Sequence, residues 1–164
     1  MRRPYPTPRA SRRVGVQQRF APNSICFGCG PANPQGLHLA SEEDPEGGLA
    51  TSFAPQAHHT AFEGFVSGGI LSVLLDCHCN WTAAMELMRA RGIEGPAPTV
   101  TAELAVKMRR PTPLQPLTVR SRVAELLEDR AWIEGSVHAG DVVTATARGL
   151  FVMVRPGHPA YSRW

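Results

Sequence analysis

A single stretch limits what this chain can fold into. From Gly64 to Trp81 it reads Gly-Phe-Val-Ser-Gly-Gly-Ile-Leu-Ser-Val-Leu-Leu-Asp-Cys-His-Cys-Asn-Trp. Further along, Ile70, Leu74, Cys77, Trp81, Met85 and Met88 recur at steps of four and three, the period of a helix. Leu71, Val73 and Leu75 widen that stripe until the first half is apolar nearly all round. Such a helix must be enclosed by other elements, not laid on their surface. The pattern predicts a helix from about Ser67 to Arg89, with Ser67 as N-cap and Gly92-Ile-Glu-Gly-Pro96 as its end. A second stripe, Gly69, Ser72, Asp76 and Asn80, is small and polar, and its side chains should face one place.

The other elements read as strands. Gly36 to Ser41 reads as a short first strand, Asp44-Pro-Glu-Gly-Gly48 as a turn and Leu49 to Phe53 as a second strand. Residues 55–66 read as a loop. After the helix, Val100, Ala102, Leu104, Val106 and Met108 alternate with polar neighbours. Pro111-Thr-Pro113 breaks that run. Strands over Leu117–Leu127, Ala131–His138 and Val142–Val154 follow, joined by the short turns Glu128-Asp-Arg130 and Ala139-Gly-Asp141, which make an antiparallel meander. Two strands, one buried helix and a run of long strands define an α+β domain, expected over residues 23–158.

At 164 residues one core is enough. The net charge of +3 is carried by one end. Arg2, Arg3, Arg9, Arg12, Arg13 and Arg19 lie in a start that holds no acid, and taking those six from +3 leaves −3 for the rest. With Pro4, Pro6 and Pro8 beside them, residues 1–22 read as a disordered basic tail rather than a nucleic-acid arm or a transit peptide. No apolar run reaches the roughly 18 residues that cross a membrane, and the start lacks a signal-peptide core, so a cytoplasmic protein without membrane or nucleic-acid partners is expected. Cys26-x-x-Cys29 has metal-knuckle spacing. Cys77 and Cys79, however, point about 200° apart on a helix and cannot both reach one ion. Small buried thiols, with no metal and no cofactor, are the expectation.

The chemistry concentrates on the helix. An acid flanked by Leu74, Leu75 and Cys77 costs several kcal/mol to bury ionised and unpaired. Asp76 is therefore the candidate base or nucleophile. Gly68 and Gly69 leave the first-turn N–H groups approachable, as an oxyanion requires. Ser67, His59, Glu63 and Asn80 are candidate substrate-binding groups. His58 and His59 are expected in a solvated loop and His78 packed away from the Asp76 stripe.

The order of elements, together with Cys26-Phe-Gly-Cys-Gly-Pro-Ala-Asn-Pro-Gln-Gly-Leu37, resembles the hotdog-fold acyl-CoA thioesterases of the PaaI-like group. Gly64-Phe-Val-Ser67-Gly68-Gly69 with Leu75-Asp76 resembles that group's Gly-x-x-His-Gly-Gly and Leu-x-Asp helix. Thr101 to Pro111 and Ala147 to Val154 resemble its post-helix and closing strands. The likeness covers roughly residues 26–154. It implies a curved antiparallel sheet wrapped around the long helix, a homodimer or homotetramer with sites between subunits, and acyl-CoA as substrate. It also implies Gly68 or Gly69 as oxyanion donor, Asp76 as base or nucleophile, and Arg109 and Arg110 as partners for coenzyme A phosphates. Two positions depart from the pattern: Ser67 replaces the motif histidine, and Ala61 stands where some members have a water-orienting asparagine.

Overall fold

The computed structural model describes residues 14–164. Helix α1 (Val16–Phe20) leads to strands β1 (Glu42–Glu43) and β2 (Leu49–Phe53), a 3-10 turn (Ala57–His59), and the ribbon β3 (Thr60–Phe62) and β4 (Phe65–Val66). The long helix α2 (Gly68–Arg91) follows, then β5 (Thr99–Met108), β6 (Leu117–Leu126), β7 (Arg130–Ala139) and β8 (Val142–Met153). Six strands form one antiparallel sheet in the order β1-β2-β6-β7-β8-β5. Among the described residues no strand pairs with the outer side of β5.

Helix α2 lies across one face of this sheet. Ser67 caps it, its Oγ accepting from Gly69 N at 3.3 Å, and Gly92 closes it in the left-handed conformation (φ 59°) that favours glycine. Leu74, Leu75, Trp81, Ala83 and Leu87 are fully enclosed, as the all-round apolar pattern requires. Along β7, Ala131, Ile133, Gly135, Val137 and Ala139 alternate inward. Gly135 is obligatory there, because a Cβ would stand 2.6 Å from the Cys79 sulfur.

Four expectations need correction. The first concerns the tail. Residues 1–13 lie outside the described residues, but 14–22 are part of the domain. Val16 and Gln17 of α1 are buried, and Gln17 exchanges two hydrogen bonds with Ser41, from its Nε2 to Oγ (3.0 Å) and from Ser41 N to its Oε1 (2.7 Å). At the other end Trp164, beyond the expected limit at 158, packs tilted against Trp81, ring centroids 4.2 Å apart, and donates to Ala97 O. Second, Gly36–Ser41 is not a strand. Leu37 N and Leu39 N donate to Phe27 O and Gly28 O, and Ser41 N to Gln17, so the backbone is already partnered by the preceding loop and α1. Third, residues 55–66 are not all loop, since they hold the β3–β4 ribbon.

The fourth correction concerns β5. Thr101 pairs with Phe151 but Glu103 pairs with Leu150, so Ala102 is an extra residue, a β-bulge. Beyond it Leu104 and Val106 pack on the core, as the alternation predicts. Before it the phase is reversed, and Thr99 and Thr101 face the helix.

Candidate functional site

The bulge builds a polar ladder between β5 and α2. Thr99 Oγ1 donates to Asn80 Oδ1 and Thr101 Oγ1 donates to Asp76, each at 2.6 Å. Four residues of helix advance about 6 Å, and two residues of strand advance about the same, so the two pairs stay in step. The small polar stripe thus meets in one place, the free edge strand. Ser72, one turn before Asp76, turns its hydroxyl back to Gly68 O at 2.8 Å.

The two pairs differ in enclosure. Asn80 and Thr99 are buried, whereas Asp76 is half-buried and Thr101 exposed. Asp76 is therefore not sealed among apolar neighbours as the sequence suggests, because its side of α2 borders the open sheet edge. Among the described residues no cation forms an ion pair with it. Asn80 is a structural group, its amide oxygen taken by Thr99 in the core.

At the start of α2, Gly69 N is engaged by the Ser67 cap, and Ser67 N donates to His59 O at 2.8 Å. Gly68 N has no protein acceptor among the described residues. A Cβ on Gly68 would lie 3.3 Å from Met108 Cε at the end of β5, so helix start and strand end meet here. His59 is not solvated: it is 7% exposed, stacks on Phe53 at 5.6 Å and accepts from Gln56 N through Nδ1. Burial, with His58 beside it, lowers its pKa. It positions the loop that holds Ser67. Glu63 sits at the exposed turn of the β3–β4 ribbon. Arg109 donates from Nε to Thr146 Oγ1 at 3.0 Å and lines an open groove of about 1020 Å³ on the sheet face away from α2. Arg110 is exposed just past the end of β5.

Sequence reasoning missed Thr101. Its signal, two threonines spaced i,i+2 opposite polar residues spaced i,i+4, is visible only if the bulge is known. His78 is fully buried. Its Nε2–H donates to Leu49 O (3.0 Å), which fixes Nδ1 as the acceptor from Ser41 Oγ–H (2.8 Å), and burial lowers its pKa to about 4.

The thiols converge as the sequence does not foretell. The sulfurs of Cys26, Cys29 and Cys77 all lie within 4.8 Å of one another. The Cys29 and Cys77 thiols turned on Cys26 hold its pKa well below the ordinary range. The same contact pushes Cys29 up to about 11 and raises Cys77. Cys79, on the other side of the helix, is raised by burial.

Solved structures match this architecture. A thioesterase superfamily protein aligns with 79% of this chain at 24% identity and a TM-score of 0.64, and the chain spans 60% of that protein's length. A putative thioesterase from Ralstonia eutropha, described as phenylacetic acid degradation-related, aligns with 71% of this chain and 86% of its own at 23% identity and a TM-score of 0.59. A Bacillus halodurans protein solved with CoA covers 73% of this chain and 76% of its own, at 23% identity and a TM-score of 0.58. No family model matches the chain, and no curated protein matches it in sequence. The molecule has an α+β hotdog fold, a six-stranded antiparallel sheet around one long helix, as these solved structures do. Among the described residues no helix is long and apolar enough to cross a membrane.

Proposed function

We propose that this protein hydrolyses an acyl-CoA or aryl-CoA thioester at sites shared between two copies of the chain. The observation that carries the reading is Asp76: a half-buried carboxylate with no cationic partner among the described residues, held by one hydroxyl beside the sheet edge. Its companion is the N–H of Gly68, which no acceptor among the described residues engages. The two lie eight residues apart on one helix, about 12 Å along its axis. That is too far for both to reach one thioester, since each group must come within about 3 Å of the reacting atoms. Edge-to-edge pairing of β5 with a second β5 would bring one copy's Asp76 toward the other's helix start, and would give the unpaired edge its partner. A homodimer is the smallest such assembly, and a homotetramer is two of them.

In the step proposed, Gly68 N–H holds the thioester oxygen as charge develops on it. Gly69 supports the helix start through the Ser67 cap. Asp76 takes a proton from water as that oxygen attacks the carbonyl carbon. The carbon–sulfur bond then breaks, and the proton passes from Asp76 to the departing coenzyme A sulfur. In the variant in which Asp76 attacks directly, water hydrolyses the mixed anhydride in a second step. Thr101 holds the carboxylate in place. Arg109 and Arg110, past the strand end, would pair with coenzyme A phosphates. Within the groove Arg120 is occupied by Asp44 and Glu46, and Arg122 by Glu134, whereas Arg109 and Lys107 form no ion pair among the described residues.

A second reading, a hotdog module that binds acyl-CoA without turnover, is favoured by Ser67 and Ala61 in place of histidine and asparagine. Thiol release over short, long and aromatic acyl-CoAs separates the two. Hydrolysis that falls about 10²–10⁴-fold in Asp76→Asn, with the fold intact, supports catalysis. Saturable binding with no release on any substrate overturns it in favour of the binding module.

A further inference from the structure

Cys26 and Cys29 sit on the loop before β1, and Cys77 comes from the middle of α2. Their sulfurs form a triangle with every side within 4.8 Å, and the Cys26–Cys77 side is 3.7 Å. Thiolates around tetrahedral zinc, at about 2.3 Å from the metal, stand about 3.8 Å from one another. The approach is built into the backbone. A Cβ on Gly28, between the two loop cysteines, would lie 2.4 Å from the Cys77 sulfur and 2.8 Å from Val73 Cγ1. Gly30 is equally constrained, since its Cβ would fall 2.4 Å from Cys26 N. Trp81, fully enclosed one turn beyond Cys77, donates its indole N–H to the Cys29 sulfur at 3.3 Å. Donation to a ligand atom is what orients and tunes a metal-bound sulfur.

We infer that Cys26, Cys29 and Cys77 hold a single zinc ion, with water in the fourth position. Among the described residues no further cysteine, histidine or carboxylate joins the cluster, and Cys26 is half-buried, so solvent reaches that side. On binding, the thiol protons still present pass to solvent and three thiolate–zinc bonds form, with no change of oxidation state. The ion ties the loop to the helix. Through Trp81 and the Trp164 packed against it, the tie extends to the C-terminal segment. The inference stands apart from the thioesterase reading, because its readout is metal content and not turnover.

The test is direct. The full chain is purified with reductant from zinc-supplied cells, gel-filtered, and assayed for bound metal. About one zinc per chain is expected, and Co²⁺ in its place should give an intense sulfur-to-cobalt charge-transfer band. Cys77→Ser and Cys26→Ser should each weaken zinc binding about 10–100-fold or more. Cys79→Ser, whose sulfur packs against Gly135 instead, should leave it unchanged. Circular dichroism reports whether each variant folds. Reduced, folded wild-type protein that takes up neither zinc nor cobalt overturns the inference, as does zinc binding undiminished in a folded Cys77→Ser.

Discussion

Thr99 and Thr101 stand two residues apart on one strand and make the same bond at the same length to helix residues one turn apart. One pair is sealed in the core and ends on an amide. The other opens on the sheet edge and ends on an acid. The construction is common to both, and only enclosure and charge differ. A buried hydroxyl–amide pair satisfies two polar groups and holds strand to helix. The same geometry at an open edge holds a carboxylate still while leaving it reachable. The two pairs differ in where the ladder stops being covered, not in how it is built.

The largest expected effect lies outside the ladder, in the buried network of His78 with Ser41 and Leu49, and sets the scale for the sealed pair. The sign follows from where the proton goes. His78 titrates near 4 when folded and near its ordinary 6.5 when unfolded. As pH falls from 6.5 toward 4 the unfolded chain takes up a proton that the folded chain refuses, and stability drops with it. The full loss is about 3 kcal/mol, because each pKa unit is worth about 1.4 kcal/mol. Urea unfolding at stepped pH should show it. His78→Gln, which cannot titrate, should flatten that slope while lowering stability overall.

Next in size is Thr99→Val. It orphans the Asn80 oxygen in the core and should cost about 1–3 kcal/mol in denaturant unfolding, with little change in substrate KM. Smallest in stability is Thr101→Val, where solvent replaces the lost hydroxyl and the cost should stay within about 0.5 kcal/mol. If the proposed function holds, that variant should still lower kcat and shift its pH profile, and Thr101→Ser should restore both. Equal stability costs for the two threonines would dissolve the contrast.

The helix and the meander were legible because their signals are local. A 24-residue helix with Ser67 before it and Gly92 after it declares both ends in the sequence. The long strands alternate as sheet strands do. What failed depended on partners far along the chain. Residues 36–41 look like strand, but the N–H groups of Leu37, Leu39 and Ser41 are claimed by Phe27, Gly28 and Gln17. Val16 and Gln17 sit inside a basic, Pro-rich start and yet reach the core. Of the site, Asp76, Ser67 and Gly68 could be chosen from sequence, because an acid in an apolar helix and a capped glycine pair are visible there. Thr101 and the convergence of Cys77 on Cys26-x-x-Cys29 could not, since one depends on a bulge and the other on a contact across 51 positions.

The extra residue at Ala102 works like a gear shifted midway along β5. One end of the strand engages the helix through hydroxyls, and the far end through Leu104 and Val106. Changing the alanine side chain would disturb little. Removing the residue would slip one half of the strand against the other, turning either the threonines or the leucine and valine to the wrong face. At this point in the chain, length matters more than chemistry.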